Sequence, residues 1–133
     1  MFSQITLVGR LGSDPTMRFT PGGKPVTTFS LATSRSYTDS AGKKVEETAW
    51  WRVSVWGPQA EFCNQYLSKG SAVLVVGRLR PDPETGGPRV YTRKDGTTGA
   101  SFEVTAENVR FLPSVLQQQE GMSETEIDDG LPF

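Results

Sequence analysis

The sequence predicts an all-β domain with one short helix and a disordered C-terminal tail, on three observations. Alternating or β-branched stretches recur between Gly, Pro and Asp breaks, and only one interval carries helical spacing. The last segment has neither pattern. The expected organisation is a folded domain over 1–112, followed by a short flexible linker and an acidic interaction tip over 113–133.

The strands follow in order. Ser3–Arg10 alternates with Ile5 and Leu7 on one face, and Gly12-Ser13-Asp14-Pro15 breaks it. Met17–Thr20 resumes as a short strand before the turn Pro21-Gly22-Gly23-Lys24. Val26–Tyr37 places Phe29, Leu31 and Thr33 together, and Asp39–Lys44 reads as a polar connection to Thr48–Trp56. Gly57-Pro58 then starts a helix, because proline fits a first helical turn, and Gly70 is expected to stop it. Between them Ala60, Cys63, Tyr66 and Leu67 fall on one side. Ala72–Arg80 is a core strand through Val73–Val76, Pro81–Pro88 must loop, and residues 89–99 form an exposed hairpin around Asp95-Gly96. Ser101–Phe111 alternates with Phe102, Val104 and Ala106 on one face and closes the domain. Three strands, a helix and two strands with a long hairpin between the fourth and fifth match a five-stranded barrel of the OB type. Such barrels bind oligonucleotides on the face of strands 2 and 3.

All three tryptophans lie within Thr48–Trp56, and strand alternation sorts that stretch into two faces. Ala49, Trp51, Val53 and Val55 make an ordinary core face. The other carries Thr48, Trp50, Arg52, Ser54 and Trp56, two large aromatics sharing a surface with a guanidinium. Flat π-faces beside a cation suit single-stranded nucleic acid, whose bases stack while its phosphates meet the charge. A strand buried on both faces, with Arg52 snorkelling to the edge, also fits this stretch.

Composition removes several chemistries. No histidine is present, and Cys63 is the single cysteine, which excludes an intramolecular disulfide, Cys/His zinc sites and histidine-based triads. Cys63 reads as a small buried apolar residue with no base to activate it. The N-terminus lacks the pattern of a secretory signal and no apolar run reaches membrane-spanning length, so a cytoplasmic location is expected. Net charge is −1, yet all fourteen Lys and Arg lie at or before Arg110 with ten of the fifteen acids. Fourteen bases against ten acids leave that part at +4, and five acids leave the remainder at −5. The split points to a body that favours polyanions and a tail with a separate task. That tail ends Asp128-Asp129-Gly130-Leu131-Pro132-Phe133, an acidic run before an apolar terminus, as in a short linear motif that fills an apolar pocket behind a basic rim.

Several of these stretches carry a resemblance. Leu7–Pro15, Leu31-Ala32-Thr33-Ser34, Thr48–Val53, Tyr66–Ser71 and Gly77-Arg78-Leu79-Arg80 resemble, in order and spacing, the bacterial single-stranded DNA-binding proteins of the homotetrameric OB-fold type. Asp128–Phe133 is similar to that family's acidic tip. The likeness covers about residues 3–112 and the tip. It implies base stacking by Tyr37, Trp50, Trp56 and Tyr91. It implies phosphate contacts from Arg52, Lys69, Arg89, Arg93 and Lys94, with Arg10, Arg18 and Arg35 as further candidates; Lys69 also suits the dipole of the helix end. It implies no catalysis, no metal and no cofactor. Asp128, Asp129, Leu131, Pro132 and Phe133 would recruit replication and repair proteins. Trp51 replaces a histidine near the family's subunit interface, so core or interface is preferred for it over DNA contact. Gly130 stands where an acid is usual, which weakens steering.

The expected function is sequence-independent binding and protection of single-stranded DNA in replication, recombination and repair, by a cytoplasmic, nucleoid-associated homotetramer. An OB-fold replication-restart or RNA-binding accessory protein is the alternative. The proline-rich Pro81–Pro88 looks like an insertion that either rigidifies a subunit contact or lies on the DNA path. Eleven linker residues span about 18 Å as a flexible coil, which would keep the tip near its own body.

Overall fold

The computed structural model describes residues 1–112; the linker and the acidic tip expected over 113–133 lie outside the described residues. Seven strands and one helix run in the order β1 (Ile5–Leu11), β2 (Thr16–Phe19), β3 (Pro25–Thr38), β4 (Lys44–Trp56), α1 (Pro58–Tyr66), β5 (Ala72–Leu79), β6 (Arg89–Thr92) and β7 (Thr98–Phe111). Five of the strands close a ring. β1 pairs with β5, β5 with β7, β7 with β4, β4 with β3, and β3 returns to β1 at Arg10 and Leu11. β2 extends β3, and β6 pairs only with β7. The expected hairpin between the fourth and fifth barrel strands is present, and its return arm is the first part of the closing strand β7.

The core follows from strand parity. Leu7, Leu11, Phe29, Leu31, Val53, Val55, Val73, Val75 and Val104 point inward and are buried. Each such side chain contributes roughly 1.5–3 kcal/mol by leaving water. Closure brings strands into contact at two glycines. A Cβ on Gly9 would overlap the Ala32 carbonyl oxygen, and one on Gly77 would overlap that of Thr105, beside a bulge at Val76/Gly77. Ala60, Cys63 and Leu67 of the helical segment plug the barrel, and the buried Thr27 hydroxyl donates to the Ala60 carbonyl at 2.6 Å.

Two local expectations change. The helix ends at Tyr66, short of Gly70, because Leu67 turns extended to drop into the core while its N–H donates to Cys63 O at 3.0 Å. Gly70, at φ 93°, instead turns the chain into β5. Tyr66 is exposed, since the stripe that faces the barrel is Ala60, Cys63 and Leu67. The third barrel strand also starts earlier, at Lys44. The Asp39 carboxylate accepts from the N–H groups of Ala41 and Lys43, which tightens the connection and lets the β3–β4 ladder run through thirteen pairs. No helix among the described residues is long and apolar enough to cross a membrane.

Candidate nucleic-acid interface

The two faces of β4 separate as alternation requires. Val53 and Val55 are buried, while Trp50 and Trp56 remain 56% and 40% exposed. Arg52 is exposed between them, so the doubly buried reading of this strand is set aside. Trp51 turns the other way. Its ring packs at 5.3 Å from that of Phe102, and its indole N–H donates to the Thr33 hydroxyl at 2.9 Å. It is partly buried against the core.

Register then builds a groove on the outer side of the barrel. Trp50 pairs with Ala32 and Arg52 with Ser30 on β3, while β7 lies parallel on the other side with Glu103 beside Arg52. The segment Ser13–Arg18 forms one wall. The β6–β7 hairpin forms the other, with Arg89 opposite Ser101 and Tyr91 opposite Gly99. The cavity between them holds about 880 Å³ and is lined by Trp50, Arg52, Arg18, Arg89, Tyr91 and Glu103 among others. Three arginines face two carboxylates, Asp14 and Glu103, so the groove is net positive. Arg18 and Arg52 have no carboxylate at ion-pair distance among the described residues. Arg89 lies 3.5 Å from Glu103, whose side chain is only 12% exposed and also accepts from the Ser101 hydroxyl at 3.1 Å. An anion entering the groove therefore meets two unpaired guanidiniums and one held by a competing carboxylate. The rings of Trp50 and Tyr91 line the same cavity as these charges.

The remaining candidates lie around this groove. Tyr37 and Arg35 stand at the far end of the β3–β4 ribbon, where the guanidinium carbon lies 5.5 Å from the ring centre. Their parity is that of Leu31 and Trp51, opposite to Trp50 and Arg52. Trp56 is six residues beyond Trp50, about 20 Å along the strand. Arg93 lies 5.5 Å from the Tyr91 ring and donates to the Thr98 carbonyl at 2.8 Å, so it braces the hairpin. Lys94 is exposed in the adjoining turn, where side-chain and backbone hydrogen bonds from Thr97 hold the Asp95 carboxyl below the usual carboxylate range. Arg10 donates to the Gly70 carbonyl at 2.7 Å, and the Lys69 N–H donates to Asp14 at 2.8 Å, which ties the turn after α1 to the groove wall. The described residues contain no group of three metal-ligating side chains.

Sequence reasoning missed several lining residues. Ser13 and Ser30 join their hydroxyls at 3.0 Å on the floor, and Asp14, Ser101 and Glu103 complete the walls. The outward face of Ser30 follows from parity with the inward Phe29 and Leu31, whereas its place opposite Arg52 depends on the β3–β4 register. Glu103 was not available from parity, because its position depends on the parallel pairing of β4 with β7. Burial pushes the Cys63 thiol up to about 11, so it ionises far above neutrality and takes no part.

Comparison with known proteins gives the family and the fold. A family model described as the Single-strand binding protein family matches residues 2–112. A single-stranded DNA-binding protein of Neisseria meningitidis is 36% identical over 110 residues, 83% of this chain and 59% of that protein. One from Clostridium tetani is 40% identical over 120 residues, 90% of this chain and 76% of its own length. The chain thus spans about three-fifths of the Neisseria relative. Among solved structures, the Plasmodium falciparum SSB complex with ssDNA superposes at TM-score 0.69 with 27% identity, covering 85% of this chain and 97% of that one. A deletion mutant of the Thermus aquaticus single-stranded DNA binding protein reaches TM-score 0.63 with 33% identity, over 83% of this chain and 50% of that one.

Proposed function

The chain belongs to the single-strand binding protein family, and on that premise we propose that its barrel binds single-stranded DNA without reading its sequence. The observation that carries the reading is the groove itself, which Trp50 and Tyr91 line together with Arg18, Arg52 and Arg89. Each stacked base contributes about 1–3 kcal/mol irrespective of its identity, and each phosphate neutralised adds a salt-dependent share. The Plasmodium relative in complex with ssDNA supports the same ligand. In this reading Trp56 extends the stacking path along the same face of β4. Tyr37 serves a DNA strand that wraps round the far end of the β3–β4 ribbon to its other face, and Lys69, Arg93 and Lys94 supply flanking charge. Competition between DNA and RNA oligomers tests the ligand: preference for RNA would favour the accessory-protein reading.

The assembly is a homotetramer in this reading. Two surfaces support self-association. The stretch Ile5–Val8 pairs with β5 on one edge and has no strand on the other among the described residues, and such edges invite pairing. Phe102, Leu79 and Val90 are exposed apolar side chains, and Phe102 packs against Trp51. Sedimentation is expected to give four copies, and a monomer would refute this part. The tip Asp128–Phe133 recruits replication and repair proteins of the cytoplasmic, nucleoid-associated machinery. Deleting Leu131–Phe133 is expected to abolish that recruitment with DNA affinity kept or raised; loss of both would count against it.

A further inference from the structure

We propose that Gly12 and Gly99 are positioning residues that seat the two groove aromatics, Trp50 and Tyr91, in the orientation that receives a base. The inference rests on the reading of the groove as a single-stranded DNA site. Gly12 follows β1 and donates its N–H to the Ser30 carbonyl at 2.9 Å. Its φ lies outside the left-handed region, so the backbone there accepts any residue. A Cβ is excluded by something else. It would overlap Cζ3 of Trp50, with Cη2 at 2.9 Å and the Ser30 hydroxyl at 3.1 Å. The indole springs from β4, crosses β3 beside Ser30 and rests its six-membered ring on the bare Cα of Gly12.

Gly99 repeats the arrangement on the opposite wall. It pairs with Tyr91 across the β6–β7 ladder and also lacks a left-handed φ. A Cβ there would stand 2.8 Å from Cζ of Tyr91 and 2.7 Å from a terminal nitrogen of Arg93. The phenol therefore lies down over Gly99, with Arg93 against it and anchored to the Thr98 carbonyl. Glycine covered by a cross-strand aromatic is a known pairing in sheets. Here it occurs at the two stacking candidates that line the groove. Among the described residues no glycine meets a ring of Tyr37 or Trp56 in this way. Holding a ring in place before the ligand arrives removes an ordering cost from binding.

In each case the atom that blocks a Cβ belongs to the outer part of a side chain, so a methyl group displaces the ring and leaves the barrel intact. A double-mutant cycle on the full chain tests this with oligo-dT. Gly12→Ala is expected to weaken binding about tenfold in the native background and less than about twofold in Trp50→Ala. The near-ultraviolet dichroism of the tryptophans should change while the thermal midpoint holds. The same cycle with Gly99→Ala and Tyr91→Ala gives an independent answer should Gly12→Ala fail to fold. Equal losses in both backgrounds, or no loss in either, would overturn the seating role. If Trp50→Ala binds oligo-dT as the native chain does, the stacking assignment of that ring fails first, and the seat with it.

Discussion

Trp50 and Tyr91 stand in the groove among Arg18, Arg52 and Arg89, whereas Phe62, Tyr66 and Phe111 stand together where α1 meets the end of β7. Both groups are exposed to a similar degree, with Trp50 at 56% and Tyr66 also at 56%. They differ in what touches the rings. Phe62 stacks on Phe111 at 4.9 Å and contacts Tyr66 at 4.8 Å, while Tyr66 meets Phe111 edge-on at 6.3 Å. Those rings spend their faces on one another and clamp the helix to the closing strand. The groove rings have no aromatic partner among the described residues and lie against glycine. Aromatic exposure alone therefore does not separate the two groups; in the proposed DNA site the rings lack an aromatic partner and share the groove with cations.

Removing one ring from each group separates their roles most strongly. Trp50→Ala is expected to weaken oligo-dT binding by about 1–3 kcal/mol, roughly five- to 150-fold. Phe62→Ala should leave that affinity unchanged and lower stability, since paired aromatics contribute about 0.5–1.5 kcal/mol beyond their burial. Thermal unfolding and a binding isotherm on both variants separate the roles; equal effects on binding would erase the distinction. A smaller effect is expected at Glu103. Glu103→Gln frees Arg89 from its carboxylate and removes a negative charge from the wall. Affinity should rise a few-fold, and the salt dependence should steepen by about 0.7 in log–log slope for one added phosphate contact. An unchanged slope would mean that Arg89 does not reach the backbone.

The smallest effect lies on the buried side of α1, at Cys63. Burial raises its thiol from an ordinary value near 9 to about 11. The folded state therefore favours the neutral thiol. That contribution is full below pH 9, where an unfolded thiol is also neutral, and it is lost as the pH rises through about 11. Alkylation by iodoacetamide at pH 8 should be negligible until the chain is unfolded, and rapid labelling of the native protein would contradict the buried assignment.

Much of this was legible in the sequence, for reasons that are local. The outward Trp50, Arg52 and Trp56 and the inward Val53 and Val55 follow from alternation within one strand. Helix initiation followed from Gly57-Pro58. The remainder depends on register between distant strands. That Arg89 and Tyr91 face Trp50 needs the β6–β7 ladder and the parallel β4–β7 pair together, and no local pattern encodes either. Helical spacing puts both Tyr66 and Leu67 close to the stripe through Cys63, but the helix ends at Tyr66 and Leu67, turning extended, takes the core position. Gly12 read as punctuation after a strand, yet its neighbour in space is Trp50, thirty-eight positions along the chain.

In the proposed complex a single-stranded polynucleotide stacks on the outer face of β4. Titrating the full chain with oligo-dT while following tryptophan emission measures this directly, because Trp50 and Trp56 lie on that face and Trp51 does not. Strong saturable quenching in the native chain, largely lost in the Trp50→Ala/Trp56→Ala double variant, is the predicted result. Emission that stays constant up to a saturating excess of oligo-dT, or quenching that persists undiminished in the double variant, would contradict it.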